Sequence, residues 1–238
     1  KLSKFKIIKH AFFNSNGGNS NGIYKSLNCG RGSLDNKNKV EKNLKSVLKK
    51  LKIKSKKIIL LNQTHSKKFY YVDKKFSTQD KRMEGDALIT DQKNIPIAVL
   101  TADCAPILLF DKNTRTIAAI HAGWRGLANG IITKFVTRFT KNPENLICWI
   151  GPSISADNYL IREDVHKKLS KISTKIFTKY DNERWKLDLK SAAKMLLKSK
   201  GVNKIYTDDM CTYQNSNLYY SYRGENNTGR IASLIWIK

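Results

Sequence analysis

Apolar positions along the chain fall into two periods. In the basic stretch 37–57, Val40, Leu44, Val47, Leu48 and Leu51 recur at helical spacing. This predicts an amphipathic helix with a solvated lysine face. The centre changes character: 57–61, 87–90, 95–101, 107–110, 116–120 and 146–150 are short apolar runs bounded by polar residues, glycine or proline. Such runs predict buried strands. Leu127, Ile131, Ile132, Phe135, Val136 and Phe139 then form a helical stripe. Val165, Leu169, Ile172 and Ile176 form a second, and Leu189, Ala192, Ala193, Leu196 and Leu197 a third. The last apolar run, 230–237, predicts a strand. A Gly/Asn/Ser cluster at 14–21 marks turns. No internal repeat and no Pro- or Gly-rich linker divides the chain. The expectation is one α+β (mixed α/β) domain over 1–238, with mixed sheets flanked by helices.

Composition narrows the class. With 238 residues and 40% hydrophobic side chains, the chain can bury roughly 70–75% of its unfolded surface without disulfide staples. No apolar run reaches the ~18 residues of a membrane helix. Residues 1–5 lead into no apolar h-region or cleavage site, so a cytoplasmic protein is expected. Cys29, Cys104, Cys148 and Cys211 are widely spaced, with no C-x-x-C pair, and are expected to be reduced thiols. The net charge of +26 suggests a nucleic-acid or anionic-surface binder. However, 36 Lys stand against 9 Arg, beside 24 Ile and 21 Asn. Those are the residues an AT-rich genome writes most often, and phosphate-reading proteins favour the bidentate Arg. The charge is read as compositional drift, with weak, salt-sensitive nucleic-acid binding as a side effect and no specific nucleic-acid partner.

Three segments place polar residues just after apolar runs: Asn62-Gln63-Thr64-His65, Thr101-Ala102-Asp103-Cys104 and His121-Ala122-Gly123-Trp124-Arg125-Gly126. Strand ends present side chains to a shared cleft. Imidazole and thiolate are favoured zinc ligands, and a set of three leaves a fourth position open, the pattern of catalytic sites. His65, Cys104 and His121 are 39 and 17 residues apart, so only the fold could assemble them. Buried structural His with an inert Cys, and a Cys104–His121 nucleophile dyad, remain open on spacing alone. Gly123 and Gly126 allow a close turn into a helix beginning near Leu127, and Arg125 adds a cation; this reads as an anion site or as a plain turn with a solvent-facing Arg. The segment from Ser221 to Arg230 puts Arg223 and Arg230 among turn residues, as a surface hairpin or as an anion clamp. His166 is expected to be exposed; Cys148, Trp149, Trp185 and Trp236 are expected in the core.

Together these segments resemble the YfiH-type purine nucleoside phosphorylases, also called the laccase-domain or multicopper polyphenol oxidase family. The resemblance rests on His10-Ala11-Phe12-Phe13, Gly17-Gly18 with Ser26-Leu27-Asn28, Asn62-Gln63-Thr64-His65, Gly85-Asp86-Ala87-Leu88-Ile89-Thr90, the Thr101–Leu109 and His121–Gly126 segments, Ile150-Gly151-Pro152-Ser153-Ile154, Cys211-Thr212-Tyr213, Ser221-Tyr222-Arg223 and Thr228-Gly229-Arg230. It implies a sandwich of mixed sheets flanked by helices, the broad architecture of certain bacterial toxins with a Cys–His site. It implies one zinc held by His65, Cys104 and His121. It also implies phosphorolysis of adenosine, inosine, guanosine and methylthioadenosine, with adenosine deamination as a second activity.

The chain departs from the family pattern in places. Asn14 and Ser15 stand where the family carries Thr-Arg, Ser153 where it often has Cys, and Gly224 where a second Arg is common. The usual deaminase signature of His-x-Glu with Pro-Cys-x-x-Cys is absent. A copper cluster needs several His pairs, whereas this chain has four His and no His-x-His. Expected partners are purine nucleosides and inorganic phosphate, bound with the help of Arg125, Arg223 and Arg230 by a chain favoured as a monomer away from any membrane. Asp86, Asp103 and His10 are candidate substrate-binding or acid–base groups. Two other readings stand beside this one: a cysteine hydrolase cleaving an amide such as a peptidoglycan precursor, and a non-enzymatic basic RNA-associated protein.

Overall fold

The computed structural model describes residues 7–79 and 82–238. In chain order its elements are β1 (Ile8–Phe12), α1 (Lys37–Lys50), β2 (Phe69–Tyr71), α2 (Lys74–Thr78), β3 (Ala87–Thr90), β4 (Ile97–Thr101), β5 (Ala105–Asp111), β6 (Ile117–Ala122), α3 (Trp124–Ala128), α4 (Ile131–Phe139), β7 (Leu146–Ile150), β8 (Leu160–Arg162), α5 (Glu163–Leu169), β9 (Phe177–Lys179), β10 (Arg184–Leu187), α6 (Leu189–Ser199), β11 (Lys204–Thr207) and β12 (Ile231–Ile237).

A six-stranded mixed sheet has the order β11-β7-β5-β6-β3-β2. Its inner strands pair antiparallel, and each edge strand adds in parallel. Every residue of β5 and β6 is buried, because both faces of the sheet are covered. Ile107, Leu109, Ala118 and Ile120 face one way, towards α3–α6. Leu108, Phe110, Ile117 and Ala119 face the other way and meet a three-stranded antiparallel sheet, β1-β12-β4. That second sheet turns Ala98, Leu100, Ala232, Leu234 and Trp236 outward onto Val40, Leu44, Val47 and Leu48 of α1. The result is a four-layer α/β/β/α sandwich with a small sheet, β8-β10-β9, beside the helical layer. This is the α+β architecture the patterning predicts. Its continuous apolar runs mark strands buried on both faces.

Several boundaries differ from expectation for identifiable reasons. The 127–139 stripe is two helices, broken where Gly130 takes the left-handed conformation (φ 80°), and the first starts at Trp124 rather than near Leu127. Helix α1 ends at Lys50, and Lys52 turns with φ 52°. Segment 57–61 is buried from Ile58 onward but, among the described residues, joins the sheets only through an isolated bridge from Ile59 to Ile97. Of the second helical stripe only α5 is helical for more than one turn; Ile176 lies in a single 3-10 turn. His166 is half-buried, stacked on Trp185 at 4.4 Å, and not exposed. Trp236 is in the core, while Trp149 and Trp185 are half-buried. All four cysteines are free thiols. No helix among the described residues is long and apolar enough to cross a membrane.

One polar knot fixes the segment that precedes α1. Asn43, fully buried on α1, donates to the Ser20 hydroxyl and to the carbonyls of Ser26 and Asn28, and its oxygen accepts from Asn19. Asn28 in turn accepts from the backbone N–H of Arg230 at 2.9 Å, so the knot reaches the C-terminal segment. Asn43→Ala is expected to leave several buried groups unpaired and to cost about 2–4 kcal/mol of stability. Chemical denaturation checks this; an unchanged midpoint would show that the knot is dispensable.

Candidate functional site

Three strand-end segments converge at one end of the sandwich. The 101–104 turn joins β4 to β5, and Asp103 there is held at φ 82°. That conformation, unusual for a residue with a side chain, turns the chain sharply enough to place the following Cys104 against His65, with Sγ 3.7 Å from Nε2. His121 lies near the end of β6, and its ring is 4.8 Å from that of His65, edge to face. The donor atoms of His65, Cys104 and His121 lie within 4.8 Å of one another.

Two local devices place His65, which itself has φ 57°. The Gln63 side chain exchanges two hydrogen bonds with the backbone of Leu100 on β4, at 2.7 and 2.8 Å, pairing with it as a neighbouring strand would. The Asp86 carboxylate then accepts from the backbone N–H groups of Thr64, His65 and Ser66 and from the Ser66 hydroxyl. The same carboxylate lies 2.8 Å from His121 Nδ1. With Nδ1 donating to Asp86, Nε2 of His121 is directed to the Cys104 side.

Burial alone would raise the Cys104 thiol, but the charge and hydrogen bond of His121, with those of His65, bring it down to about 6. Burial alone would lower His121, but the Cys104 thiolate and Asp86 raise it to about 9. The cluster therefore favours a thiolate beside a protonated imidazole, ready for a metal ion or for nucleophilic attack. The metal fit is supported by spacing. Tetrahedral zinc with one sulfur and two nitrogens needs donors about 3.3–3.6 Å apart, a small contraction from what the chain presents. Gly123 leaves the required room: a Cβ there would sit 2.7 Å from His65 Cδ2 and 2.8 Å from Cys104 Sγ. The donor set does not fit a copper cluster. The remaining histidines pack against aromatic rings elsewhere, His10 on Trp149 and His166 on Trp185.

The cluster opens into a cavity of about 560 Å³, a size typical of small-molecule sites. Arg125, Arg223 and Arg230 all line it, as do Trp124, Tyr159 and Tyr222. Each guanidinium lies over a ring: Arg125 4.4 Å from Trp124, Arg223 5.1 Å from Tyr159, Arg230 6.0 Å from Tyr222. Arg230 is further held by the carbonyls of Thr228 and Gly229, each at 2.8 Å. Arg125 and Arg223 are exposed and form no ion pair among the described residues.

Of three further sequence candidates, one lines the cavity and two do not. Asp86 is fully buried behind the cluster and does not line the cavity. His10 lies on β1 outside the cavity, where burial pushes its pKa down to about 4. Asp103 lines the cavity, but its oxygens are engaged by Thr212, Ser221 and the Arg223 N–H. Sequence reasoning missed Tyr159 and Asn226 as lining residues. Tyr159 follows a single 3-10 turn, Ala156–Asn158, and no periodicity marks it.

The sequence model of the family described as multi-copper polyphenol oxidoreductase laccase matches residues 9–238. Purine nucleoside phosphorylase YfiH of Escherichia coli (strain K12) is 33% identical over 223 residues, covering 93% of this chain and 90% of that protein. A purine nucleoside phosphorylase of Haemophilus influenzae is 33% identical over 235 residues, covering 96% and 94%. The crystal structure of YlmD from Geobacillus stearothermophilus superimposes with a TM-score of 0.93 at 27% identity, over 98% of this chain and 93% of that one. A Neisseria meningitidis crystal structure gives 0.89 at 32% identity, over 97% and 94%.

Gly123→Ala tests the geometry of the cluster directly. Its backbone (φ −84°, ψ 167°) suits any residue, so the fold should survive while the new methyl displaces His65 and Cys104. Metal titration of the purified variant should show affinity lower by on the order of tenfold or more. Wild-type affinity would show that these three residues do not form the centre.

Proposed function

Because the chain belongs to the YfiH family, whose sequence model carries the laccase description, we propose that it is a zinc-dependent purine nucleoside phosphorylase. Its substrates are adenosine, inosine, guanosine and methylthioadenosine, with deamination of adenosine as a second activity. The observation that carries this reading is one cavity with a Cys/His₂ cluster in its wall and three arginines around it. A monomer is the proposed working unit, and the thiolate cluster suits the reducing cytoplasm.

In phosphorolysis the phosphate oxygen bonds to C1′ of the ribose as the bond from C1′ to the purine nitrogen breaks. The electron pair of that bond leaves with the purine, and the products are free base and ribose 1-phosphate. The protein must hold a dianion, then balance negative charge gathering on the base. Arg125 and Arg223 have free forks for phosphate, and their stacking on Trp124 and Tyr159 limits how far they swing. Asp86 and His10 lie outside the cavity, and the Asp103 oxygens are engaged, so this reading assigns the acid to none of them. Tyr159 lines the cavity with its hydroxyl kept protonated by burial and by the nearby Cys104; it is the neutral donor assigned to the departing purine. His65, Cys104 and His121 would hold zinc, which supplies Lewis-acid charge for an anionic oxygen or for the water used in deamination.

The lowered Cys104 thiol favours a second reading, a cysteine hydrolase in which the Cys104 thiolate, paired with protonated His121, is the nucleophile. In that case wild-type enzyme would accumulate a covalent thioester with an amide substrate, and added zinc would inhibit it.

Adenosine or inosine should yield ribose 1-phosphate at a rate saturating in phosphate. Arg125→Ala should cost about 2–3 kcal/mol, roughly 30- to 150-fold at sub-saturating phosphate. Arg125→Lys should restore only part of this, since lysine lacks the planar fork. Equal base release without phosphate, giving free ribose, would make the enzyme a hydrolase and end this assignment.

A further inference from the structure

The 101–104 turn sends adjacent side chains to two different places. Cys104 goes to the metal cluster. Asp103, 8% exposed, goes to the C-terminal segment. Its Oδ1 accepts from the Thr212 hydroxyl at 2.7 Å, and its Oδ2 from the Ser221 hydroxyl at 3.1 Å and the Arg223 backbone N–H at 2.6 Å. Ser221 continues the network: its hydroxyl accepts from Gly224 N–H and its carbonyl from Glu225 N–H. The turn that displays Arg223 is therefore built upon Asp103. On the other side, the Asp103 carbonyl accepts from Ile154 N–H at 3.0 Å, and Thr212 N–H donates to Ser153 O. The Arg223 side chain itself is exposed. Free of an ion pair among the described residues, it depends for its place on its backbone as well as on the ring it lies over. Tyr159 offers only a ring at 5.1 Å.

We propose that Asp103 is a positioning residue that fixes the Arg223 guanidinium relative to the metal cluster, acting through hydrogen bonds to the Arg223 arm rather than as an acid, a base or a phosphate ligand. The inference rests on the reading of Arg223 as a phosphate contact. The chemistry requires such a device. An anion shared between a flexible cationic arm and a rigid metal centre is held productively only if the two are at a set distance. A buried carboxylate that accepts from a hydroxyl on each of two segments and from the arm's own N–H supplies that distance. It also occupies the left-handed conformation that gives Cys104 its direction, so one turn sets both ends of the span.

Two substitutions separate this role from its rivals. Asp103→Gly removes the carboxylate and suits the left-handed backbone. Asp103→Asn removes the charge but retains a carbonyl oxygen for the Arg223 N–H, while the Thr212 hydroxyl can rotate to accept from the amide. For Asp103→Gly we expect full metal content, a phosphate KM raised on the order of tenfold, a smaller change in kcat, and faster hydrogen exchange at the Arg223 amide. Asp103→Asn should recover most of the phosphate KM and the slow exchange. Ser221→Ala, which leaves Asp103 in place, should move both readouts the same way by less. The proposal is overturned if Asp103→Asn is as impaired as Asp103→Gly, since that would mean the charge or a proton is what matters. It is also overturned if exchange at Arg223 is unchanged, or if kcat falls while phosphate KM does not. Amide exchange and metal content need no turnover. A wild type that releases base without phosphate would therefore overturn the phosphorylase reading while the exchange data still decide the tether.

Discussion

The site depends on one buried carboxylate. Asp86 begins no strand and touches no solvent, yet it accepts from three consecutive backbone N–H groups at 64–66, from the Ser66 hydroxyl and from the His121 ring. Burial by itself would raise its pKa, but the bonds from His121 and Ser66 overcome this and hold the carboxyl below its usual range. A buried charge is tolerated only when satisfied in this way. The same satisfaction folds the His65 loop onto the end of β6. Two histidines far apart in sequence are thereby fixed against a common anchor, each with a nitrogen turned to Cys104.

The rest of the architecture brings strand ends to that anchor. Because the six-stranded and three-stranded sheets stack face to face, the β4–β5 turn, the end of β6 and the 62–65 segment meet at one end of the sandwich. The C-terminal segment must then cross this end to reach β12, and it does so pinned by Asp103 and Asn28. The cluster side of the cavity is thus built from strand ends, and its cationic side from the first turn of α3 and the C-terminal segment.

Much of this was legible in the sequence, for physical reasons. Strands buried on both faces write continuous apolar runs, so β3, β5, β6, β7 and β12 could be read directly. Edge strands carry too little burial to leave a pattern: β2 is Phe69–Tyr71 and β11 is Lys204–Thr207, with most residues half-buried or exposed. The small sheet β8-β10-β9 escaped for the same reason. His65, Cys104 and His121 were found because polar residues that follow apolar runs stand out. Their partner Asp86 also stands out in the sequence, but a carboxylate that binds substrate and one that orients a ligand look alike there; the structure puts it behind the cluster rather than in the cavity. Asp103 lines the cavity as expected, but its bonds to the Arg223 arm could not be read from the sequence. Tyr159 had no signal, because its place depends on how a short turn sits over the cavity.

One thiolate and two imidazoles from strand ends are proposed to form a single metal centre. X-ray absorption at the zinc edge of the metal-loaded protein reads that ligand set directly. One sulfur at about 2.3 Å and two nitrogens at about 2.0–2.1 Å, with a light atom completing the shell, are expected. A shell of nitrogen and oxygen with no sulfur would take Cys104 out of the centre and contradict this assignment.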